Sequence, residues 1–68
     1  MNLMERLHIN KELEWVTKKQ IDNAQKRLEL SEELEKDLEN KVIKNMINEL
    51  EKENIELNER STNLISRL

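Results

Sequence analysis

From residue 43 onward, apolar positions recur at alternating steps of four and three: Ile43, Ile47, Leu50, Asn54, Leu57, Ser61, Leu64 and Leu68. This is the heptad spacing of a helix that hides one stripe, with Ile43, Leu50, Leu57 and Leu64 at position d and Ile47, Asn54, Ser61 and Leu68 at position a. Leucine at d beside a β-branched residue at a suits a parallel two-stranded coil, and Leu50, Leu57 and Leu64 give the generic leucine-zipper spacing. Asn54 at an a position reads as a register-setting amide that meets its counterpart across a dimer; the competing explanation is that one of nine asparagines falls on the seam by chance.

Upstream the pattern changes phase. Leu3, Leu7, Asn10, Glu14, Thr17, Ile21, Ala24, Leu28, Ser31, Glu35, Leu38 and Val42 keep a heptad spacing of their own, yet Val42 is followed at once by Ile43 in the second register. Leu34, Leu38, Val42, Met46 and Leu50 step by four and bridge the two, as a stutter does. The chain divides accordingly into a helical segment 1–42 with an irregular register and a zipper-like segment 43–68. The apolar surface is also broad. Ile55 and Ile65 flank the second seam, and Ile9, Leu13, Val16, Leu30 and Leu34 form a second face in the first half. More than one apolar face implies more than one neighbour, as in a trimer, a four-helix bundle or a helical hairpin.

Breaks are hard to place. His8 to Asn10, Ser31 and Ser61 to Asn63 are the candidates, and none contains Gly or Pro. The expected fold is therefore all-α: one nearly continuous helix about 100 Å long, opened by an Asn2 cap with Glu5 three residues on. It forms a coiled coil, a parallel dimer being favoured over the alternatives above, and it buries its seam only on association. The expected oligomer interface comprises Leu3, Leu7, Ile21, Ala24, Leu28, Leu38, Val42, Ile43, Met46, Ile47, Leu50, Asn54, Leu57, Ser61, Leu64 and Leu68. Trp15, the single aromatic, lies off the seam as a docking anchor for a partner or a cover for the coil's flank.

Composition narrows the function. The 68 residues are 40% charged and 35% apolar, with no Gly, Pro or Cys, which is the make-up of long helices rather than of an enclosed catalytic pocket. Apolar runs are no longer than pairs, far short of a bilayer span. The opening residues lack a secretory leader pattern and there is no thiol for a disulfide. A cytoplasmic setting is expected, with a nuclear one possible on the same grounds. The tail Ser66-Arg67-Leu68 resembles a peroxisomal address and a PDZ-binding carboxyl terminus, three residues that also continue the seam.

Charge is uneven. Residues 1–28 carry six basic and four acidic groups, residues 29–59 carry eleven acids against four lysines, and Arg60 and Arg67 follow. Lys18-Lys19 and Lys26-Arg27 raise nucleic-acid binding through residues 11–27, but Asp22 interrupts them and the rest of the chain repels a polyanion. In a parallel homodimer only Glu39 with Lys44 makes a good ionic match across the zipper, so a heterotypic helix with a basic middle is electrostatically better. Glu5, His8 and Glu12 have the spacing of one half of a carboxylate-bridged metal site, which needs further inward carboxylates on neighbouring helices. No metal or other cofactor is expected, and no small-molecule substrate. The leading expectation is a noncatalytic oligomerisation or adaptor helix that pairs with itself or with another helical protein. The alternative is a small regulatory binder, an inhibitor or chaperone-like partner, that orders on a target helix bundle.

Overall fold

Asn2 starts the first helix. Its backbone is extended and its Oδ1 accepts from the Glu5 N–H at 2.9 Å, while its Nδ2 donates to Glu5 Oε1 at 3.3 Å, so the expected cap forms with the return bond made between side chains. In the computed structural model, which describes residues 1–68, α1 then runs over Leu3–Lys36. A second helix, α2, covers Lys41–Ser66 and returns antiparallel beside it. The result is an all-α hairpin, one of the arrangements the sequence allowed, in place of the favoured continuous helix.

The reversal occupies Asp37 to Asn40. The Asp37 N–H donates to the Leu34 carbonyl at 3.0 Å and the Asn40 N–H to the Asp37 carbonyl at 3.1 Å. Asn40 then caps α2, its Oδ1 accepting from the Ile43 N–H at 3.1 Å. No residue has a positive φ, so the turn needs no glycine. The Asn40 side chain satisfies a backbone N–H that a continuing helix would have satisfied itself, and its Nδ2 donates to Asp37 Oδ2 at 3.4 Å. The three breaks expected from sequence all lie inside helices; Ser31 is absorbed into α1 by donating its hydroxyl to the Arg27 carbonyl at 2.7 Å.

The phase change in the sequence explains the turn. Ile9, Leu13, Val16, Gln20, Asn23, Arg27, Leu30 and Leu34 form a buried or half-buried stripe on α1, again in steps of four and three. On α2 the stripe is Ile43, Ile47, Leu50, Asn54, Leu57, Ser61 and Leu64. Leu34 and Ile43 are nine residues apart, which is two and a half turns at about 3.6 residues per turn. In an unbroken helix the two stripes would point in opposite directions. Reversal turns them toward each other.

Burial is consequently intramolecular. Ile9, Val16, Leu57 and Leu64 form the core, with Leu13 packed against it, each fully buried side chain worth roughly 1.5–3 kcal/mol. The expectation that Leu57 and Leu64 hide only by touching a second chain is overturned: α1 of the same chain covers them. Charge agrees with this pairing. Residues 16–30 hold four basic and two acidic groups, and they lie beside residues 45–59, which hold five acids and one lysine. Ion pairs along the helices, Glu14 with Lys18 at 3.3 Å and Asp22 with Lys26 at 3.1 Å, are exposed and contribute about 0–1 kcal/mol each.

Spin labels on His8→Cys and Ser66→Cys, diluted in unlabelled chain, are expected to lie on the order of 20 Å apart, two neighbouring helices plus the label arms; a straight helix would separate them by about 87 Å. Leu57→Ala is expected to cost about 2–3 kcal/mol in urea unfolding, and a loss below about 0.5 kcal/mol would remove Leu57 from the core.

Candidate interaction surface

The middle of the hairpin seam is polar. Asn23 is 1% exposed, and its amide is fully engaged: Nδ2 donates to the Leu50 carbonyl at 2.8 Å and to Glu53 Oε1 at 3.4 Å, while Oδ1 accepts from Arg27 Nε at 2.8 Å. One side chain thus ties α1 to the backbone and a carboxylate of α2. Sliding the helices past each other would strand a buried amide, at roughly 1–3 kcal/mol. Asn23 therefore fixes the stagger of the hairpin. Asn54, to which the sequence assigned a register role across a dimer, is half-buried on the seam opposite α1 instead. Nothing singled out Asn23 beforehand, although Gln20, Asn23 and Arg27 continue the spacing of Ile9, Leu13 and Val16 to Leu30 and Leu34.

The seam separates two dissimilar faces. Residues immediately preceding Leu13, Gln20, Arg27 and Leu34 are Glu12, Lys19, Lys26 and Glu33, every one charged. On this side Arg60 Nη2 reaches Glu12 Oε2 at 3.3 Å, crossing the helices. Trp15 belongs to the same face and is 50% exposed, with the Lys19 ammonium 5.7 Å and the Arg60 guanidinium 5.6 Å from its ring centroid. Such cation–π contacts are worth about 0.5–1 kcal/mol at an exposed site. Nearer the turn, a groove on this side is floored by Leu30, Val42, Met46 and Leu50 and rimmed by Lys26, Glu29, Glu33 and Glu49.

The opposite side is different in kind. Residues immediately following Ile9, Val16, Asn23 and Leu30 are Asn10, Thr17, Ala24 and Ser31, none charged in a chain that is 40% charged. Gln20 Nε2 donates to Asn58 Oδ1 at 2.8 Å across this side. Behind the first row stand Leu7, Ile21 and Leu28, exposed by 45%, 55% and 62%. This is the first heptad register of the sequence, and in the hairpin it is an outward stripe on α1, apolar or uncharged except at Glu14 and Glu35.

The sixteen expected interface residues accordingly fall into two groups. Ile43, Ile47, Leu50, Asn54, Leu57, Ser61 and Leu64 belong to the internal seam, while Leu3, Leu7, Ile21, Ala24, Leu28, Leu38, Val42, Met46 and Leu68 are exposed to solvent. Glu5, His8 and Glu12 go to separate surroundings. Glu5 bonds Asn2, Glu12 meets Arg60, and His8 sits in a shallow depression beside Met4, Leu7 and Lys11. Lys18, Lys26 and Arg27 are engaged by Glu14, Asp22 and Asn23.

Asn23→Leu is expected to leave the hairpin as stable or more stable in urea unfolding, because apolar volume replaces a polar group whose partners other than Arg27 already have solvent or helical bonding. Its amide NMR spectrum is expected to show extra peaks from more than one helix stagger. A single sharp set of peaks at unchanged positions on α2 would show that Asn23 does not fix the register.

Compared with protein-family models, with curated proteins and with solved structures, the chain matches none.

Proposed function

We propose that the chain is a noncatalytic protein–protein association module, a helical hairpin that docks through the outer stripe of α1, apolar or uncharged except at Glu14 and Glu35. The observation that carries this is the row Leu7, Ile21 and Leu28, 45%, 55% and 62% exposed and bordered by uncharged Asn10, Thr17, Ala24 and Ser31, on an otherwise heavily charged molecule. Large side chains aligned at helical spacing and left in water favour burial against another surface. The seam needs none of them.

An adaptor or oligomerisation role follows from that face, and the coiled-coil pairing anticipated from sequence moves from the carboxyl-terminal leucines to α1. The regulatory-binder alternative draws its support from the other side, where half-exposed Trp15 and the groove of Leu30, Val42 and Met46 offer an aromatic anchor beside an apolar trough. Nucleic acid is disfavoured because the basic groups of residues 11–27 are largely paired with acids or turned into the seam. No helix is long and apolar enough to cross a membrane, and a cytoplasmic setting fits a chain without cysteine.

A photoreactive amino acid placed at Ile21 or Leu28, in cells producing the chain, is expected to capture protein adducts, and the same probe at Glu29 on the charged face is expected to capture none. Absence of adducts from both stripe positions would overturn the association role; adducts from Glu29 alone would transfer it to the Trp15 face.

A further inference from the structure

We propose that the occupant of the α1 stripe is a second copy of this chain, docked antiparallel about a twofold axis level with the midpoint between Ile21 and Ala24, so that two hairpins close into a four-helix bundle. The inference rests on the association role proposed above and names its partner.

Area supports an occupant of this size. A folded chain of 8.2 kDa exposes about 4,500 Å². This one exposes 5525 Å², an excess of about 1,000 Å², where each partner of an ordinary protein interface covers about 800 Å². The hairpin's own core is thin, with four buried apolar residues, and it has no cysteine to staple it. Chains of this size draw stability from oligomerisation when disulfides are missing.

The stripe is complementary to itself in one orientation. An isologous twofold pairs residue i with residue j and j with i. About the proposed axis, Ile21 comes level with Ala24 of the other copy and Leu28 with Thr17, so each large side chain faces a small one. The two carboxylates of the stripe fare equally well. Glu14, which keeps its ion pair with Lys18, comes level with uncharged Ser31, and Glu35 with Asn10, whose amide is able to donate to it. A parallel docking would instead set Glu14 against Glu14 and Glu35 against Glu35, and Ile21 against Ile21. The charged face is a poorer choice for self-pairing in the antiparallel sense, since the α2 row Glu49, Glu53 and Glu56 would face its own copy.

The axis also suits the molecule's length. The stripe is centred between residues 22 and 23, and the middle of α1 lies between residues 19 and 20, a difference of about 4.5 Å along the helix. Nearly all of α1 is therefore covered.

Sedimentation equilibrium of the full chain at about 100 μM is expected to give twice the 8.2 kDa chain mass, with Ala24→Glu weakening self-association at least tenfold while helicity by circular dichroism is unchanged. An equimolar mixture of Thr17→Cys and Leu28→Cys chains is expected to oxidise to the mixed disulfide. Homodisulfides in its place would mean parallel docking and overturn the proposal. Trp15 emission is expected to stay constant across the assembly transition, because Trp15 faces away from the stripe; a blue shift that tracks the mass would place the contact on the charged face and also overturn it. A chain monomeric to about 500 μM would exclude the second copy, and if stripe probes still captured another protein in cells, the association role would stand without it.

Discussion

Two apolar stripes that point in opposite directions along one helical axis cannot face a common neighbour. A separation of nine positions from Leu34 to Ile43 puts the stripes half a turn out of phase, and this offset governs the remainder of the structure. A straight helix would need separate partners for its two halves, with the acidic carboxyl-terminal half seeking a basic one. Reversal at Asp37 to Asn40 removes both demands, because each half becomes the other's partner and the modestly basic stretch 16–30 comes beside the acidic stretch 45–59. What the sequence displays as a stutter is a change of direction.

The seam so formed is apolar at its ends and polar at its centre. Ile9, Val16, Leu57 and Leu64 supply most of the buried area toward the termini, and Leu30, Leu34, Ile43 and Ile47 are half-covered toward the turn. Between them Asn23 spends a buried position on specificity. Apolar contacts alone would tolerate a shift of one helix along the other by a heptad, since both stripes repeat at that interval. The amide does not, because its two donors are matched to the Leu50 carbonyl and the Glu53 carboxylate of α2 in this stagger, while Arg27 of its own helix holds its acceptor. Every buried side-chain polar atom finds a partner, so the polar centre stabilises one arrangement and leaves no orphaned group.

Much of this was legible beforehand, and what escaped did so for physical reasons. The α2 stripe was visible because its hydrophobic residues are uninterrupted from Ile43 to Leu50 and resume at Leu57. The Asn2 cap was visible because it stands at a natural start. The turn was not, because Asp and Asn close it at negative φ, where glycine and proline carry no advantage. Ile9, Leu13, Val16, Leu30 and Leu34 were recognised as a second face, but the polar gap Gln20, Asn23 and Arg27 hid their continuity and left the outer stripe, with Leu3, Leu7, Ile21 and Leu28, as the stronger signal. Periodicity locates a stripe well and says little about which of two stripes a chain uses on itself.

The proportions of the hairpin carry a practical consequence for counting copies of it in solution. Its Cα atoms extend 53 × 14 × 12 Å, with a radius of gyration of 15.8 Å where a compact chain of the same length has about 11 Å. A slender particle experiences more friction than a sphere of equal mass, so a single hairpin elutes ahead of globular standards and imitates a heavier species. Side-by-side docking thickens the rod while barely lengthening it, and elution then shifts less than a doubling of mass would suggest. Stoichiometry in this system is a matter for mass-sensitive methods, since shape alone blurs one copy into two.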